Sequence, residues 1–529
     1  MPASIRVSLS SRPTGRRARP WLMMSLIGVF GGLASPALMA FDFDDVAKRA
    51  RSLSESAYEA PETNLPDALR ELEYEDYAQI QYRGEQALWA DEELPFQLTF
   101  FHEGMHFDSA VKVHTVSDDE VREVAFDPAA FDYGELSIPE EQLEGLGFSG
   151  LKILNALNQE DIMDEAMVFQ GASYFRALGR DQQYGLSGRG LAVDTALQSG
   201  EEFPAFREFW VVKPTSESQY LTVFALLDSP SLSGAYRFVL RPGDDTVVDV
   251  KSRLFLRREV EKLGIAPLTS MYLYGPGQPS ESLNYRPAIH DSNGLLVQDA
   301  VDGWSWRPLA NPARLMIEEA PVESLAGFGL LQRSHDFDDY EDLVDRYDRR
   351  PSTWIEPQGD WGAGVVELIQ IPTPNETNDN IVAFWKPESL PSTGEPLDLS
   401  YRMHWTTTEA KFLDPELAWV DETRRSQGEV RRNDLVREPD GSLAFVLDFK
   451  GPVLEGYQAD DGLAVEASVG DNGELVESRA VPNPAEGGWR VFLRVKRADD
   501  DRPMEIRATL KDGEAPLSET WTYRLPAHG

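Results

Sequence analysis

Short runs of β-branched and aromatic residues recur along most of the chain, each closed by Gly, Pro, Asp or Ser, and few folds accommodate such a pattern. The runs 98–101, 109–114, 209–213, 221–227, 236–240 and 246–251 read as strands. Many strands this short, joined by Gly- and Pro-rich turns, predict an all-β protein built on a large sandwich. A helix is predicted only at 44–56, where Val46, Ala47 and Ala50 share one face, with single turns at 140–144 and 344–347.

Near Lys386 the texture changes. Residues 387–400 are rich in Pro, Ser and Gly and read as a linker. Beyond it, alternating runs at 443–449, 465–469, 475–477, 489–495 and 520–523 suggest a smaller sandwich of the immunoglobulin type. Pro439-Asp440-Gly441 and Asp471-Asn472-Gly473 supply turn chemistry, and Asn-Gly suits a tight hairpin turn between 465–469 and 475–477. The expected plan is a leader at 1–40, a large sandwich at 41–386, the linker at 387–400 and a second sandwich at 401–529.

The leader has the three parts of a signal peptide. Arg12, Arg16, Arg17 and Arg19 are basic, 21–34 is apolar and uncharged, and Pro36 to Ala40 ends in small residues before the acidic 41–45. Its apolar run is shorter than the roughly 20 residues that span a bilayer. Arg16-Arg17 suits a twin-arginine signal, but Ala18-Arg19-Pro20 continues it poorly, so the export route stays open. With no second long apolar run, no stable membrane insertion is expected after cleavage. The chain has no cysteine, which excludes disulfides, thiolate nucleophiles and thiolate metal ligands. A formal net charge of -40 excludes nucleic acid and anionic surfaces as partners.

His102-Glu103-Gly104-Met105-His106 matches the H-E-x-x-H pattern of zinc peptidases, whose chemistry needs one helical turn. Strand-like runs flank it and Gly104 disfavours helix, so a β-turn with two surface histidines is expected instead. A zinc hydrolase is therefore only a distant third reading. Gly185-Leu-Ser-Gly188 lacks a nucleophile elbow, and Gly188-Arg-Gly190 lacks a phosphate-loop frame. No cofactor and no metal are expected. Carboxylates and aromatics remain, the equipment of sugar chemistry. They concentrate from Tyr285 to Trp385, as Asp291, Trp304, Trp306, Tyr347, Trp354, Trp361, Glu376 and Asp379, with Arg286 among them.

Long stretches add more than spacing does. Phe41-Asp-Phe-Asp-Asp-Val-Ala47, Gly171-Ala-Ser-Tyr-Phe-Arg176, Tyr184-Gly-Leu-Ser187, Arg189-Gly-Leu-Ala192, Ser199-Gly-Glu-Glu-Phe-Pro204, Gly327-Phe-Gly-Leu-Leu-Gln332 and Asp379-Asn-Ile-Val-Ala-Phe-Trp385 are examples. Through them the chain resembles the periplasmic glucan biosynthesis proteins of the G and D type over nearly its whole mature length. Asn284-Tyr-Arg-Pro287, His290-Asp-Ser-Asn-Gly-Leu295 and Ser518-Glu-Thr-Trp521 are more similar to the G branch.

The resemblance implies a periplasmic protein that helps to make osmoregulated periplasmic glucans, whose backbone is β-1,2-linked glucose. It implies a galactose-mutarotase-like N-terminal sandwich and a C-terminal immunoglobulin-like one. Members with glycosidase activity cut β-1,2-glucan with inversion, and some relatives transglycosylate. The general acid of the family falls on Asp379 and its general base on Asp291, which reaches water directly or through a hydroxyl relay. Glu376 and Tyr347 are expected to line the cleavage subsite, with Arg286, Trp354 and Trp361 as further substrate-binding residues. The expected partner is β-1,2-glucan, with a membrane glucan synthase as a second. The alternative is a non-catalytic glucan-binding scaffold acting with that synthase.

Overall fold

A computed structural model describes residues 41–527 except 118, 119 and 281. The leader expected at 1–40 lies outside the described residues. The chain is an all-β sandwich protein, with one helix of substantial length, Phe43–Ser54, among the described residues. Asp42 caps that helix, accepting from the Asp44 and Asp45 amides in a reciprocal capping box. The buried stripe Phe43, Val46, Ala47 and Ala50 follows from the 3.6-residue period and contains the face expected from sequence.

Two sheets face each other. A ten-stranded sheet runs from Phe96–His102 to Met316–Val322, with Leu263–Ser270 and Ile381–Pro387 paired near its middle. A fifteen-stranded sheet carries the long meander Ala205–Val212, Leu221–Asp228, Leu232–Arg241 and Thr246–Leu256. Strand Leu232–Arg241 shows why these segments form strands. Tyr236, Phe238 and Leu240 enter the core between the sheets, while Ala235 packs under the helix on the outer face. Alternation with period 2 buries both faces of one strand against different partners.

Residues 396–406, expected to straddle the linker and the second domain, form one strand, Pro396–Thr406. It pairs with Thr246–Leu256 on one side and Ser352–Pro357 on the other. The chain thus returns into the large sheet before it leaves for the C-terminal part. There a four-stranded sheet packs on Ala464–Ser468, Met504–Asp512 and Thr520–Leu525. Those three strands prolong the fifteen-stranded sheet through a parallel pairing of Ser305 with Thr520 and Trp306 with Trp521. The second core also takes Leu296, Trp306, Leu331 and Trp354 from the larger sandwich. Shared sheet and shared core make residues 41–527 one compact unit.

Two turn expectations need correction. Asp471-Asn472-Gly473 closes no hairpin: Ala464–Ser468 pairs with Met504–Asp512, and Gly473–Pro482 pairs with Trp489–Arg497 in the other sheet. The Asn472 amide instead donates to the Asp499, Arg502 and Pro503 carbonyls, pinning a crossover. Asp440-Gly441 lies inside strand Arg437–Lys450 opposite a register shift, and the hairpin turns at 432–436, where the Arg432 amide donates to the Val436 carbonyl.

Candidate active site

The site is built around three residues, Ser270, Met271 and Tyr272, at the end of a fully buried strand. A register shift at Ile265/Leu268, with Ala266 at φ +48°, bends that strand just before it arrives. The Asn380 amide donates to the Ser270 carbonyl at 3.0 Å, and the Asp291 amide to the Met271 carbonyl at 2.8 Å. The Asn380 side chain accepts from the Tyr272 amide at 2.8 Å and donates to the Tyr272 carbonyl at 3.1 Å. One rigid three-residue stretch therefore carries both expected catalytic segments, with Asp291 on one side and Asp379 on the other.

Asp291 is buried and ion-paired with Arg350. The Arg350 guanidinium lies 4.0 Å over the Tyr347 ring. Gly185 lets this chain pass, since a Cβ there would come within 2.9 Å of the Arg350 side chain. The Tyr347 hydroxyl donates to Glu376 at 3.0 Å. Arg286 grips the same carboxylate with two nitrogens, at 2.9 and 3.2 Å, and holds buried Asp342 at 2.8 Å. Asp342 in turn caps the amides of Val344 and Asp345. Three loops are thus clamped through one guanidinium, whose planar fork suits bidentate carboxylate pairing.

Asp379 stands apart from this network. Its pKa is pushed up to about 6, first by desolvation, then by the negative charge of Asp291, while Arg176 and Arg350 oppose the rise. Its side chain is nonetheless open to solvent. The two facts fit a carboxyl crowded by protein but uncovered on one side. Any group that covered that side would desolvate the carboxyl further and strengthen the rise.

Alongside runs an open groove of about 1,100 Å³, reaching from Thr377 past Tyr174 and Arg176 to His106 and Phe107. Tyr184 lines it and also a second opening of about 340 Å³ that ends on Arg350. Tyrosine and phenylalanine rings line the groove together with charged and polar groups such as Arg176, Glu165 and Asp108.

Asp291, Tyr347, Glu376 and Arg286 are linked through Arg350 and the Glu376 carboxylate, and Asp379 lies next to Asn380 at the same strand end. Trp354 and Trp361 are not part of this arrangement. Trp354 is 2% exposed and stacks between Trp304 at 5.8 Å and Phe412 at 6.1 Å in the second core. Trp361 leans on Trp385 at 5.1 Å and donates to the Ser400 carbonyl. Trp354 fills core where Gly327 leaves room, Trp361 packs half-buried against the first core, and neither lines the groove. Arg286 is committed to Asp342 and Glu376, which makes it a brace. Sequence reading missed Arg350, Arg176, Tyr174 and Tyr184. Arg176, Tyr174 and Tyr184 sit within the family-like stretches, which was the available signal.

The H-E-x-x-H match is a turn after strand Phe96–His102, as expected, but only one of its histidines is on the surface. His102 is 1% exposed, with Nε2 3.2 Å from the Tyr133 hydroxyl, and Glu103 accepts from the Gly147 amide. His106 points outward to the groove. The pieces point apart, and among the described residues no three His, Cys, Asp or Glu side chains gather as a metal site.

A family model described as periplasmic glucan biosynthesis protein, MdoG, matches residues 41–525. The chain is similar to the glucans biosynthesis protein G of Serratia proteamaculans, 52% identical over 520 residues, which covers 98% of this chain and 99% of that protein. It is similar to the protein of the same name from Pseudomonas paraeruginosa, 52% identical over 496 residues and 94% of each chain. The Dickeya dadantii protein of that name is 51% identical over 496 residues, 94% of this chain and 95% of that one.

Proposed function

The chain belongs to the periplasmic glucan biosynthesis protein family, and from that membership we propose that it works in the periplasm in the making of periplasmic glucans. It is exported by the leader at 1–40 and cut near Phe41, where the family match begins. Among the described residues, no helix is long and apolar enough to cross a membrane.

Its ligand is β-1,2-glucan, laid in the 1,100 Å³ groove and cleaved or remodelled beyond its Thr377 and Arg176 end, where Asp379 and Asp291 lie near each other. The observation that carries this reading is the unequal pair of carboxyls on one strand end. Asp379, with its pKa raised to about 6, is suited to protonate a leaving glycosidic oxygen. Asp291, paired with Arg350, is suited to take a proton from water, directly or through a hydroxyl relay. The stereochemical outcome is inversion, as the family resemblance implies. The mature protein incubated with linear β-1,2-glucan is expected to shorten or redistribute the chains, releasing the α-anomer as the first product seen by proton NMR. Unchanged chains with wild type and with Asp379→Asn alike refute cleavage.

A second reading is favoured by the exposure of Asp379 to solvent. In it the protein binds nascent glucan without turnover and presents it to, or receives it from, a membrane glucan synthase. It predicts that Asp379→Asn still supports glucan production in cells.

A further inference from the structure

Gln332 follows strand Leu325–Leu331 and is 0% exposed. It touches neither groove nor solvent, yet every polar atom of its carboxamide is used. Nε2 donates to the His290 carbonyl at 3.0 Å and to the Tyr347 carbonyl at 3.2 Å. Oε1 lies 2.8 Å from His290 Nδ1. Two carbonyls accept from Nε2, so the amide cannot be flipped without setting oxygen against oxygen. Oε1 then accepts, and the hydrogen of His290 sits on Nδ1. The imidazole is stacked on Tyr272 at 5.3 Å, with the rings 5° from parallel.

What the amide joins explains why this matters. His290 precedes Asp291, and Tyr347 opens the turn that delivers Arg350, whose amide donates to the same Tyr347 carbonyl at 3.2 Å. One side chain therefore spans the two segments whose charged residues form the Asp291–Arg350 pair. Gln332 is itself held. Its amide donates to Ser352 Oγ at 2.8 Å, and the Arg333 amide to Asn293 Oδ1 at 3.2 Å. The Arg333 guanidinium then grips Glu519 from the C-terminal part at 2.6 and 2.9 Å.

We propose that Gln332 is a positioning residue: its carboxamide fixes His290 as the Nδ1–H tautomer and keeps Asp291 and Arg350 at one spacing beside the groove. The claim about turnover rests on the glycosidase reading; the claim about His290 does not. Gln332→Glu removes both donated hydrogen bonds, and Gln332→Met removes all polarity at similar volume. Nitrogen-15 histidine spectra of the full mature protein are expected to show His290 neutral and Nδ1-protonated from pH 5 to 8. In Gln332→Glu it should become an imidazolium within that range, and in Gln332→Met the single tautomer should be lost. His290 signals unchanged in both variants overturn the proposal.

On linear β-1,2-glucan, both variants should lose about tenfold or more in kcat with KM within about twofold, the signature of displaced catalytic groups. Wild-type kcat in a folded Gln332→Met also overturns the proposal. Should wild type itself not turn over, the glycosidase reading falls, and the histidine spectra alone decide for or against Gln332. If Gln332→Glu fails to fold, Gln332→Met carries both readouts.

Discussion

Asp379 gives the proposed glycosidase reading its sharpest prediction, because its raised pKa sets how that activity would vary with pH. As a general acid it works only when protonated. With a pKa of about 6 in place of the ordinary 3.8, about a tenth of the molecules carry that proton at pH 7. At the ordinary value the fraction would be roughly a hundredfold smaller. kcat/KM on linear β-1,2-glucan should therefore fall about tenfold from pH 5 to 7 wherever the base is ionised, and about tenfold again to pH 8. Arg176 opposes the rise, so Arg176→Gln should move this descending limb to higher pH. Asp379→Asn should abolish the limb and lower the rate by roughly 10²- to 10⁴-fold. The same shift has a stability consequence. The folded state takes up this proton at higher pH than the unfolded one, so stability is gained as pH falls through about 6 and is fully present below the unfolded value near 3.9. Asp379→Asn should accordingly be no less stable than wild type at pH 7. A rate that stays flat or rises between pH 6 and 8, or an Arg176→Gln limb displaced downward, would refute the reasoning.

Three more outcomes follow from the packing. Arg333 and Glu519 are 3% and 2% exposed at their side chains, so Glu519→Gln should cost roughly 3–5 kcal/mol in urea unfolding; a loss under about 1 kcal/mol contradicts a buried pair. His335 is held between Glu409 and the Asp348 carbonyl; burial lowers its pKa, but the hydrogen bond and charge of Glu409 outweigh that and raise it. The stability it contributes is full below the unfolded value near 6.5 and lost as pH rises through the higher folded value, so Glu409→Gln should lose most of its stability on the acid side, and an equal loss at pH 5 and 9 would count against the pair. Gly294 opposes Pro308, and a Cβ there would fall 2.0 Å from the Trp306 ring, so Gly294→Ala should cost roughly 1–3 kcal/mol or more, read by chemical denaturation.

Legibility in the sequence followed the range of the physics. The helix near Asp44 and most strands rest on neighbours within a few residues, and there the period was readable. The face Val46, Ala47 and Ala50 is the one that packs against Trp210 and Phe224. The Asp471-Asn472-Gly473 turn looked like a hairpin because local chemistry permits one. Its neighbours were instead claimed by different sheets: Ala464–Ser468 pairs with the distant strand Met504–Asp512, while Gly473–Pro482 pairs with the next strand, Trp489–Arg497. The aromatic cluster misled in the same way. Trp354 and Trp361 are as well suited to stack on sugars as Tyr174, and composition does not say which rings face the core.

By itself, then, the sequence determined the all-β class, the absence of thiol chemistry, the turn at His102 to His106 and the family whose motifs run through it. The tertiary structure decided which of 90 acidic residues share a strand end, because Ser270, Met271 and Tyr272 gather residues 291 and 380 across gaps no local period spans. It also decided that the C-terminal strands prolong the large sheet and reach the site through Glu519, Arg333 and Gln332. Buried hydrogen bonds and desolvated charges depend on what surrounds them in space, and that surrounding exists only once the chain has folded.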